Sequence, residues 1–513
     1  MDRAQVLDRR ANVAGIDVLA PLDPVGRLAR SAIRSRDLVS IVVDEQRLLD
    51  EVARLGQRPR RIVGERLFQL LPARLPLVQL EPGIVHAHEQ GDAPRRCSPN
   101  AVEVHSGAVK VLLVGSGGRE HALAWKLAQA PALRALHAAP GNPGIARLGQ
   151  CHPVRPEDGE SLLALARSLG VDLAVIGPEA PLVAGVADQL RHMGVAVFGP
   201  GRAAARIEGS KSYAKDVLAA AGVPAAETLA IARPPCVVKA DGLTAGKGVY
   251  VCRTADELNA ALRAVAAFPG RVVIEELLEG EEVSVFALAD GRRVVPLPPA
   301  QDFKRIGDGD TGPNTGGMGS YSPFPAFGEN EVEELVERIH APVIEELARR
   351  GAPFIGVLFA GLMITDDGPK VLEFNCRFGD PETQSILPLL DGDVLGALAA
   401  AAGGELAGVE LEVSPRAAVT VVVAAGGYPA QRDHGSTIEG VEAAEAAGAL
   451  VFHAGTALQG ERLVTNGGRI LNVTATGETI GEAREAAYRA CQAISFSGAR
   501  YRSDIAFSAA AAD

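Results

Sequence analysis

Lysine, positive net charge, paired cysteines and long apolar runs are scarce or missing in this 513-residue sequence. The net charge of -12 argues against a nucleic-acid partner, because phosphate backbones are bound by basic surfaces. No apolar run reaches the length of a membrane span and the N-terminus shows no signal-peptide core, so we expect no membrane association. The six cysteines are scattered without a CxxC pair, which predicts a reducing, cytoplasmic environment without a disulfide framework.

Glycine and aliphatic residues are plentiful instead. The chain has 57 glycines and 47% hydrophobic residues, of which few are aromatic. This composition favours an α/β protein with many tight turns between strands and helices. The length indicates three or four domains.

Because 43 of the 51 basic residues are arginine, the few lysines single out candidate phosphate contacts. A lysine ammonium is a compact point charge that arginine does not replace at a tight phosphate contact. The lysines are Lys110, Lys126, Lys211, Lys215, Lys239, Lys247, Lys304 and Lys370. Most of them fall in glycine-rich or polar stretches.

Residues 370–382 (KVLEFNCRFGDPE) form the stretch around which we expect the chain to be organised. Strict alternation predicts a strand with Glu373, Asn375 and Arg377 on one face. Carboxylate and amide oxygens are hard ligands that suit Mg²⁺, and a guanidinium binds carboxylate or phosphate. The other face, which carries Cys376, is expected to be core. The alternative is a buried strand whose polar face arose by chance.

The same stretch ends in a predicted helix start. Asp380 is expected at the N-cap and Pro381 at the first helical position, which are the places these residues favour. A helix N-terminus beside the metal face would favour bound anions.

Residues 1–108 differ from the rest, with 16 Arg, no Lys and 14 acidic residues. We interpret them as an extension without chemistry. Whether they are a true appendage or result from a start codon chosen too far upstream is left open.

From Val109 the pattern predicts a parallel sheet. Strands at residues 110–114, 136–139, 172–177 and 195–198 each run into a glycine- or proline-rich loop. Ligands bind at the carboxyl ends of such strands. The residues expected there are Gly117, Gly118, Asn142, Gly144 and Glu179.

A monophosphate site is favoured over NAD at this sheet edge. Glu120 replaces the third glycine of the dinucleotide fingerprint, and the second strand is not followed by an acidic residue. His121 is interpreted as a packing or capping group rather than a base.

A nucleotide grip is predicted further on. Lys239 lies near the end of an apolar strand, and the glycine loop AGKG at residues 245–248 follows it. The sequence does not contain the GxxxxGK[ST] spacing of a Walker motif. The end of the strand at residues 271–278 is expected to face an adenine edge, and Glu282 the ribose. The polar stretch at residues 298–325 is predicted to be an active-site loop that carries Asp302 and Arg305.

The C-terminal hundred residues predict a small α+β unit that acts as a lid or packing unit. It shows few convergent polar groups, apart from the segment YRSD at residues 501–504, which is expected to contact the rest.

Taken together, these motifs resemble the ATP-grasp ligases, and closely the phosphoribosylamine-glycine ligase family. The resemblance covers residues 109–507 and rests on VGSGGREHALAWKLAQ, APGNPG, IGPEAPLVAG, EGSKSYAKD, VVKADGLTAGKGV, PPAQDFKRIGDGDTGPNTGGMGSYSP, VLEFNCRFGDPETQ and YRSDIA. Two positions depart from the family pattern: Phe303 stands where many members have His, and Arg202 where Ser-Lys is common.

The resemblance implies a fold of four parts. Residues 1–108 are unmatched. A Rossmann-like amine-binding domain covers residues 109–207, and an ATP-grasp domain of two α+β subdomains covers residues 208–413, with a mobile lid at about 225–295. A small α+β domain covers residues 414–513.

It also implies that ATP drives condensation of glycine with 5-phosphoribosylamine in purine biosynthesis, in a monomeric cytoplasmic enzyme. The residues that would hold ATP are Lys211, Lys239, Gly246, Lys247, Gly248, Glu275, Glu276 and Glu282. The residues that would bind Mg²⁺ or Mn²⁺ are Glu373 and Asn375. The residues that would be catalytic are Arg377, Lys239, Asp302 and Arg305. The residues that would bind the amine or glycine are Gly117, Gly118, Asn142, Gly144, Glu179 and Arg377. Another ATP-grasp ligase and a non-catalytic nucleotide-binding module remain alternatives.

Overall fold

A computed structural model describes residues 108–244, 248–268 and 270–511. The extension at residues 1–107 and the loop residues Gly246 and Lys247 therefore lie outside the described part of the chain. None of the helices in the three described ranges combines the length and apolar character that a bilayer crossing requires.

The first sheet is parallel, as the sequence predicts, and contains the four predicted strands with a fifth, Gln150–Cys151, that was not predicted. In spatial order they are Gln150–Cys151, Leu133–Pro140, Val109–Gly115, Leu173–Ile176 and Ala196–Phe198. The strands Val109–Gly115 and Leu173–Ile176 are mostly apolar and buried, because helices cover both faces of such a sheet. The loops that carry the predicted amine-site residues thus leave from one edge.

The central sheet has eight strands. In spatial order they are Gly368–Asn375, Ile355–Thr365, Glu281–Asp290, Val294–Asp302, Gly319–Ser322, Ala417–Ala424, Arg469–Gly477 and Leu450–His453. The pairing of Ser320 with Thr420 carries the sheet into the C-terminal unit. The C-terminal unit therefore shares a sheet and a core with the preceding domain.

A smaller unit lies between residues 225 and 276. Its three strands are Val249–Cys252, Cys236–Ala240 and Val272–Glu276, in that order. The helix Ala255–Val265, which Thr254 and Glu257 cap reciprocally, covers them and encloses a separate apolar cluster. The strand Glu281–Asp290 belongs to the central sheet, so this compact unit ends before residue 295.

The remaining strands form three short sheets. They are Asp433–Thr437 with Arg462–Gly467 and Thr456–Gln459, Arg305–Gly307 with Thr311–Asn314, and Leu390–Asp391 with Glu412–Val413. The α-helices are Gly118–Leu127, Gly159–Leu169, Glu179–Ala184, Val186–His192, Arg202–Gly209, Lys211–Ala221, Ala255–Val265, Glu329–Leu335, Ala341–Arg349, Glu382–Ile386, Val394–Gly403, Val441–Ala446, Ile480–Cys491 and Phe507–Ala510. Together these elements give the predicted α/β fold.

The organising stretch forms the strand Gly368–Asn375 at the edge of the central sheet. Cys376 is buried, as predicted, and packs in the main core. The predicted helix start is wrong by one residue: the helix begins at Glu382 and Pro381 occupies the N-cap. Asp380 instead lies 3.0 Å from Arg469.

Candidate active site

Lys239 joins the small three-stranded unit to the central sheet. Its Nζ lies 2.6 Å from Glu275 and donates a hydrogen bond to the carbonyl of Leu372 at 3.0 Å. Lys215 approaches the other oxygen of Glu275 at 2.8 Å. Glu275 is only 2% exposed, so the two ammonium groups offset the cost of burying its charge. Lys215 was named among the scarce lysines as a candidate phosphate contact, but its pairing with Glu275 was not predicted.

Lys211 stands at the start of the helix Lys211–Ala221, whose N-cap is Ser210. Its backbone N–H donates to Asp241 at 2.6 Å, and its Nζ donates to the carbonyl of Gly242 at 3.0 Å. Burial lowers the pKa of Lys211, and the nearby Glu373 carboxylate opposes that shift. The helix N-terminus and this ammonium give one positive site close to the predicted metal ligands.

A second charged group lies on the long polar loop. Lys304 contacts Glu282 at 2.7 Å and Asp302 at 2.8 Å. Although burial alone would lower it, the two carboxylates hold the pKa of Lys304 well above its usual range. The loop thus brings Asp302 and Glu282 together, as their shared assignment to the site requires. Lys304 was named among the scarce lysines and as one of the polar residues that favour an active-site loop, but its pairing with Glu282 was not predicted.

The strand Gly368–Asn375 presents Glu373 and Asn375 two residues apart. Within the described ranges, no group of three or more His, Cys, Asp or Glu side chains is arranged to hold a metal. Two hard oxygen donors nevertheless fit a cation of the Mg²⁺ type, which keeps several waters and takes further oxygens from substrate phosphates. The donor set is therefore compatible with a metal shared between protein and nucleotide.

Arg377 lies between two carboxylates. Its guanidinium is 3.5 Å from Glu179 and 3.4 Å from Glu208, and it donates to the side-chain oxygen of Asn375 at 3.3 Å. Burial raises the pKa of Glu208, against the opposing effect of Arg377. The backbone N–H of Cys376 also donates to Glu208, at 2.8 Å. The structure thus joins Arg377 to Glu179 of the first sheet and adds Glu208, which the sequence did not single out.

The glycine turn after the first strand is closed by its own helix. The N–H of Gly117 donates to Glu120 at 2.6 Å, so the residue that replaces the third fingerprint glycine is a capping group. A Cβ on Gly118 would lie 2.0 Å from the amide nitrogen of Asn472. The turn therefore packs tightly against the C-terminal unit.

Asn142 and Gly144 lie in the neighbouring loop. Asn142 donates to the carbonyls of Ser116 and His453 at 2.9 and 2.8 Å and accepts from Ile145 at 2.9 Å. These contacts hold the loop in place, and the assignment of Asn142 to the amine site stays a prediction. A Cβ on Gly144 would collide with the His121 ring.

His121 is a packing residue, as predicted. Its Nδ1 accepts a hydrogen bond from the backbone N–H of His453 at 2.8 Å. Burial, with repulsion from His453 and Arg147, lowers the pKa of His121 to about 3. The ring is therefore neutral near pH 7 and serves as an acceptor.

Three other predicted residues have local partners. Glu276 accepts from the N–H of Glu227 at 2.9 Å, and Lys370 lies 3.3 Å away. Arg305 donates to the carbonyl of Gly312 at 2.6 Å, within its own hairpin. The carbonyl of Gly248 accepts from Ala240 at 2.8 Å, which ties the end of the glycine loop to the strand of Lys239.

The C-terminal unit contributes polar groups, so the expectation that it has few is wrong. Arg469 donates to the carbonyls of Gly316 and Asp380 at 2.6 and 2.7 Å. The N–H of Gly316 donates to the Tyr428 hydroxyl at 2.9 Å. These contacts fasten the polar loop and the segment after Arg377 to the C-terminal unit.

Comparison with known proteins follows the same division. Models of phosphoribosylglycinamide synthetase match the N domain at residues 109–208, the ATP-grasp (A) domain at residues 209–383 and the C domain at residues 418–508. A phosphoribosylamine-glycine ligase of Streptomyces coelicolor is 52% identical over 420 residues, covering 79% of this chain and 100% of the relative.

Solved structures agree. A phosphoribosylamine-glycine ligase of Thermotoga maritima superposes with a TM-score of 0.67 at 35% identity, covering 77% of this chain and 100% of that one. The biotin carboxylase domain of a Hydrogenobacter thermophilus 2-oxoglutarate carboxylase shares the fold alone, with a TM-score of 0.57 at 17% identity, covering 77% and 92%. An ATP-grasp domain binds ATP with a divalent cation, which the donors on the edge strand fit. The chain belongs to the phosphoribosylglycinamide synthetase family, whose members include the phosphoribosylamine-glycine ligases.

Proposed function

We propose that this enzyme condenses glycine with 5-phosphoribosylamine, using ATP, in purine biosynthesis. The products are glycinamide ribonucleotide, ADP and phosphate. One observation carries the proposal: the segment at residues 372–377 contacts Lys239 at one end and Glu179 at the other. Lys239 donates to the carbonyl of Leu372 at 3.0 Å, and Arg377 lies 3.5 Å from Glu179 on the first sheet. This short segment therefore links a nucleotide grip to a separate amine site.

The nucleotide occupies the side of Lys239. Lys211 and Lys239 hold its phosphates, and Lys247 with Gly246 and Gly248 closes over them. Glu282 accepts from the ribose hydroxyls, while Glu275 and Glu276 orient the lysines and the strand end near the base. Two observations support this arrangement. Burial lowers the pKa of Lys211 while Glu373 opposes that shift, and Lys239 donates a hydrogen bond to the strand that carries Glu373.

Glu373 and Asn375 hold the divalent cation, which we assign as Mg²⁺, with Mn²⁺ as the alternative. Hard oxygen donors without a nitrogen or sulfur ligand favour either ion. When bound, the cation neutralises charge on the phosphate oxygens that would otherwise repel an incoming carboxylate.

The first chemical step joins glycine to phosphate. A glycine carboxylate oxygen forms a bond to the γ-phosphorus, the bond from phosphorus to the β–γ bridging oxygen breaks, and ADP leaves. Arg377 orients the glycine carboxylate through its fork of donors. Asp302 and Arg305 on the polar loop position the reacting groups, with Lys304 between Asp302 and Glu282.

The second step forms the amide. The amine of phosphoribosylamine attacks the carbonyl carbon of glycyl phosphate, the bond from that carbon to the phosphate oxygen breaks, and phosphate leaves as the nitrogen loses a proton. Gly117, Gly118, Asn142, Gly144 and Glu179 bind this substrate at the edge of the first sheet. Alignment of the two substrates supplies much of the rate, because a bimolecular step becomes intramolecular.

A steady-state assay tests the proposal. ADP release is measured with ATP, Mg²⁺ and glycine, with and without phosphoribosylamine generated in place. Strong stimulation by both substrates is expected. Release that responds to neither would contradict it, and release that responds to a different amine would favour another ATP-grasp ligase.

Three further predictions accompany this function. We infer that a single chain is the working unit, that it acts in the cytoplasm and that it does not bind nucleic acid. The division at residues 108, 207 and 413 is likewise proposed, and the segments on either side of the last boundary share the central sheet.

A further inference from the structure

The segment Arg502 to Asp504 contacts the tip of the polar loop through a dense set of charged hydrogen bonds. Arg502 is 2% exposed, yet its guanidinium donates to Asp504 at 2.7 Å and to Asp310 at 2.8 Å. It also donates to the carbonyl of Arg305 at 3.1 Å. A buried guanidinium with carboxylate and carbonyl partners is held in one orientation.

Two neighbours complete the contact. The backbone N–H of Ser503 donates to Asp308 at 2.9 Å, and the hydroxyl of Ser503 donates to the same carboxylate. The N–H of Gly309 donates to Asp504 at 2.8 Å. Asp310 adopts a φ of 52°, a left-handed conformation that is uncommon for a residue other than glycine. The tip at residues 308–310 is thus fixed by the C-terminal segment although it is exposed.

The segment itself is anchored from behind. The Tyr488 hydroxyl donates to the carbonyl of Arg502 at 2.7 Å and accepts from the N–H of Ile505 at 3.0 Å. Arg484 donates to the carbonyls of Ser503 and Ile505 at 2.7 and 2.9 Å. Both side chains belong to the helix Ile480–Cys491, which packs on the central sheet. The loop tip is therefore tied to the core of the C-terminal unit.

The same guanidinium contacts the ring of Phe303, a position that departs from the family pattern. Its carbon lies 5.0 Å from the centroid of the Phe303 ring, a cation–π distance. Phe303 sits between Asp302 and Lys304, and its backbone N–H donates to the carbonyl of Gly319 at 3.0 Å. Arg502 thus touches the loop at the ring of Phe303, at the Arg305 carbonyl and at the Asp310 carboxylate, on both sides of Lys304.

We propose that Arg502, with Ser503 and Asp504, positions the polar loop so that Asp302, Lys304 and Arg305 reach the reacting groups. Arg502 acts through the loop and is a positioning residue. The catalytic consequence rests on the proposed function, because the loop residues act there on the nucleotide and glycine.

The test uses the loop side of the contact, since a change at buried Arg502 risks unfolding the C-terminal unit. The variant Asp308→Ala/Asp310→Asn removes two exposed carboxylates from the loop tip. Asp367→Asn, in the exposed turn between the strands Ile355–Thr365 and Gly368–Asn375, is the matched control. Both proteins and the wild type are compared by trypsin cleavage after Lys304 and Arg305, by kcat and KM for ADP release, and by thermal unfolding.

We expect cleavage of the double variant to be faster by about tenfold or more, because fixed loops resist proteases. Its kcat should fall by about 10-fold to 100-fold, the loss expected when reacting groups are misplaced by about an ångström. The KM for ATP should change less, and the control should match the wild type. Phe303→Leu should show a smaller loss, about fivefold, from the missing ring face.

Unchanged cleavage and unchanged kcat in the double variant would overturn the proposal. Faster cleavage with unchanged kcat would also overturn it, by leaving the contact a merely structural one. Proteolysis does not depend on turnover. A wild type without phosphoribosylamine-dependent turnover would therefore overturn the proposed function, while cleavage still reports whether the loop is held.

Discussion

Replacing Glu373 by glutamine removes a charge from the proposed metal site while preserving shape. The side chain is only partly buried, so we expect the free energy of unfolding to change by less than about 1 kcal/mol. Replacing the charged donor by a neutral amide oxygen should instead lower kcat by about 100-fold or more, which corresponds to about 2.7 kcal/mol of transition-state stabilisation. The Mg²⁺ concentration for half-maximal rate should rise as well.

The structure adds a second consequence for the same variant. Burial already lowers the pKa of Lys211, and Glu373 counteracts that effect. Without Glu373 the pKa of Lys211 falls further. Protonated Lys211 is the form that holds phosphate. As the pH rises, ATP binding should therefore weaken at a lower pH than in the wild type, and the alkaline limb of the pH profile should move to lower pH.

Steady-state ADP release, measured across Mg²⁺ concentration and pH, checks both consequences, with thermal unfolding as the control for folding. A variant that keeps more than about half of the wild-type kcat would refute the metal assignment. An alkaline limb that stays in place would refute the coupling between Glu373 and Lys211.

Three other perturbations have defined outcomes. In Arg377→Lys one ammonium cannot replace the guanidinium that contacts two carboxylates, so glycine-dependent ADP release should fall by about 100-fold. A change within threefold would count against the proposal that Arg377 binds glycine. Cys376→Ser should lower stability by about 1–2 kcal/mol, because it buries a hydroxyl, while kcat stays within about twofold; the reverse pattern would contradict the face assignment. Burial lowers the pKa of His340 to about 4, below the value of about 6.5 in the unfolded chain, so its contribution to stability is complete above pH 6.5 and lost as the pH falls. At about pH 5.5 His340 alone should lower the free energy of unfolding, measured with urea, by roughly 1.4 kcal/mol. His340→Gln should remove this contribution, whereas His192→Gln at an exposed position should not. Equal pH dependence in both variants would refute this.

Local pattern was sufficient for the elements that carry the site. Alternation over residues 370–377 predicts a strand and the burial of Cys376, and both are confirmed, but the strand ends at Asn375, so the placement of Arg377 on the strand is wrong. The glycine-rich turn after the first strand is also confirmed. These features depend on residues within a few positions of one another, so periodicity and capping preferences report them directly.

Partners supplied by distant segments were missed. Glu208 looks like an ordinary charge at the end of a helix, and only the fold brings it to Arg377 at 3.4 Å. Asp380 has the sequence setting of an N-cap, but its carboxylate pairs with Arg469 at 3.0 Å, a residue 89 positions away. The ion pair with Arg469 outweighs the preference of Asp380 for an N-cap position. No local sequence pattern around Asp380 reveals this distant partner.

The C-terminal unit shows the same limit at the level of the sheet. The run AAVTVVVA at residues 417–424 predicts a buried strand but not its neighbours. The structure pairs it with Gly319–Ser322 on one side and Arg469–Gly477 on the other. Strand pairing between segments a hundred residues apart follows from the three-dimensional core, so the polar contacts of Arg469 could not be anticipated. The expectation that the segment at residues 501–504 contacts the rest of the chain is confirmed by Arg502, which donates to Asp310 at 2.8 Å.

The most direct measurement is ADP release by the full chain with ATP, Mg²⁺, glycine and phosphoribosylamine, followed with isotopically labelled glycine. Formation of labelled glycinamide ribonucleotide in a one-to-one ratio with ADP, dependent on all four components, is the expected result. ADP release without incorporation of glycine, or incorporation without phosphoribosylamine, would contradict the account.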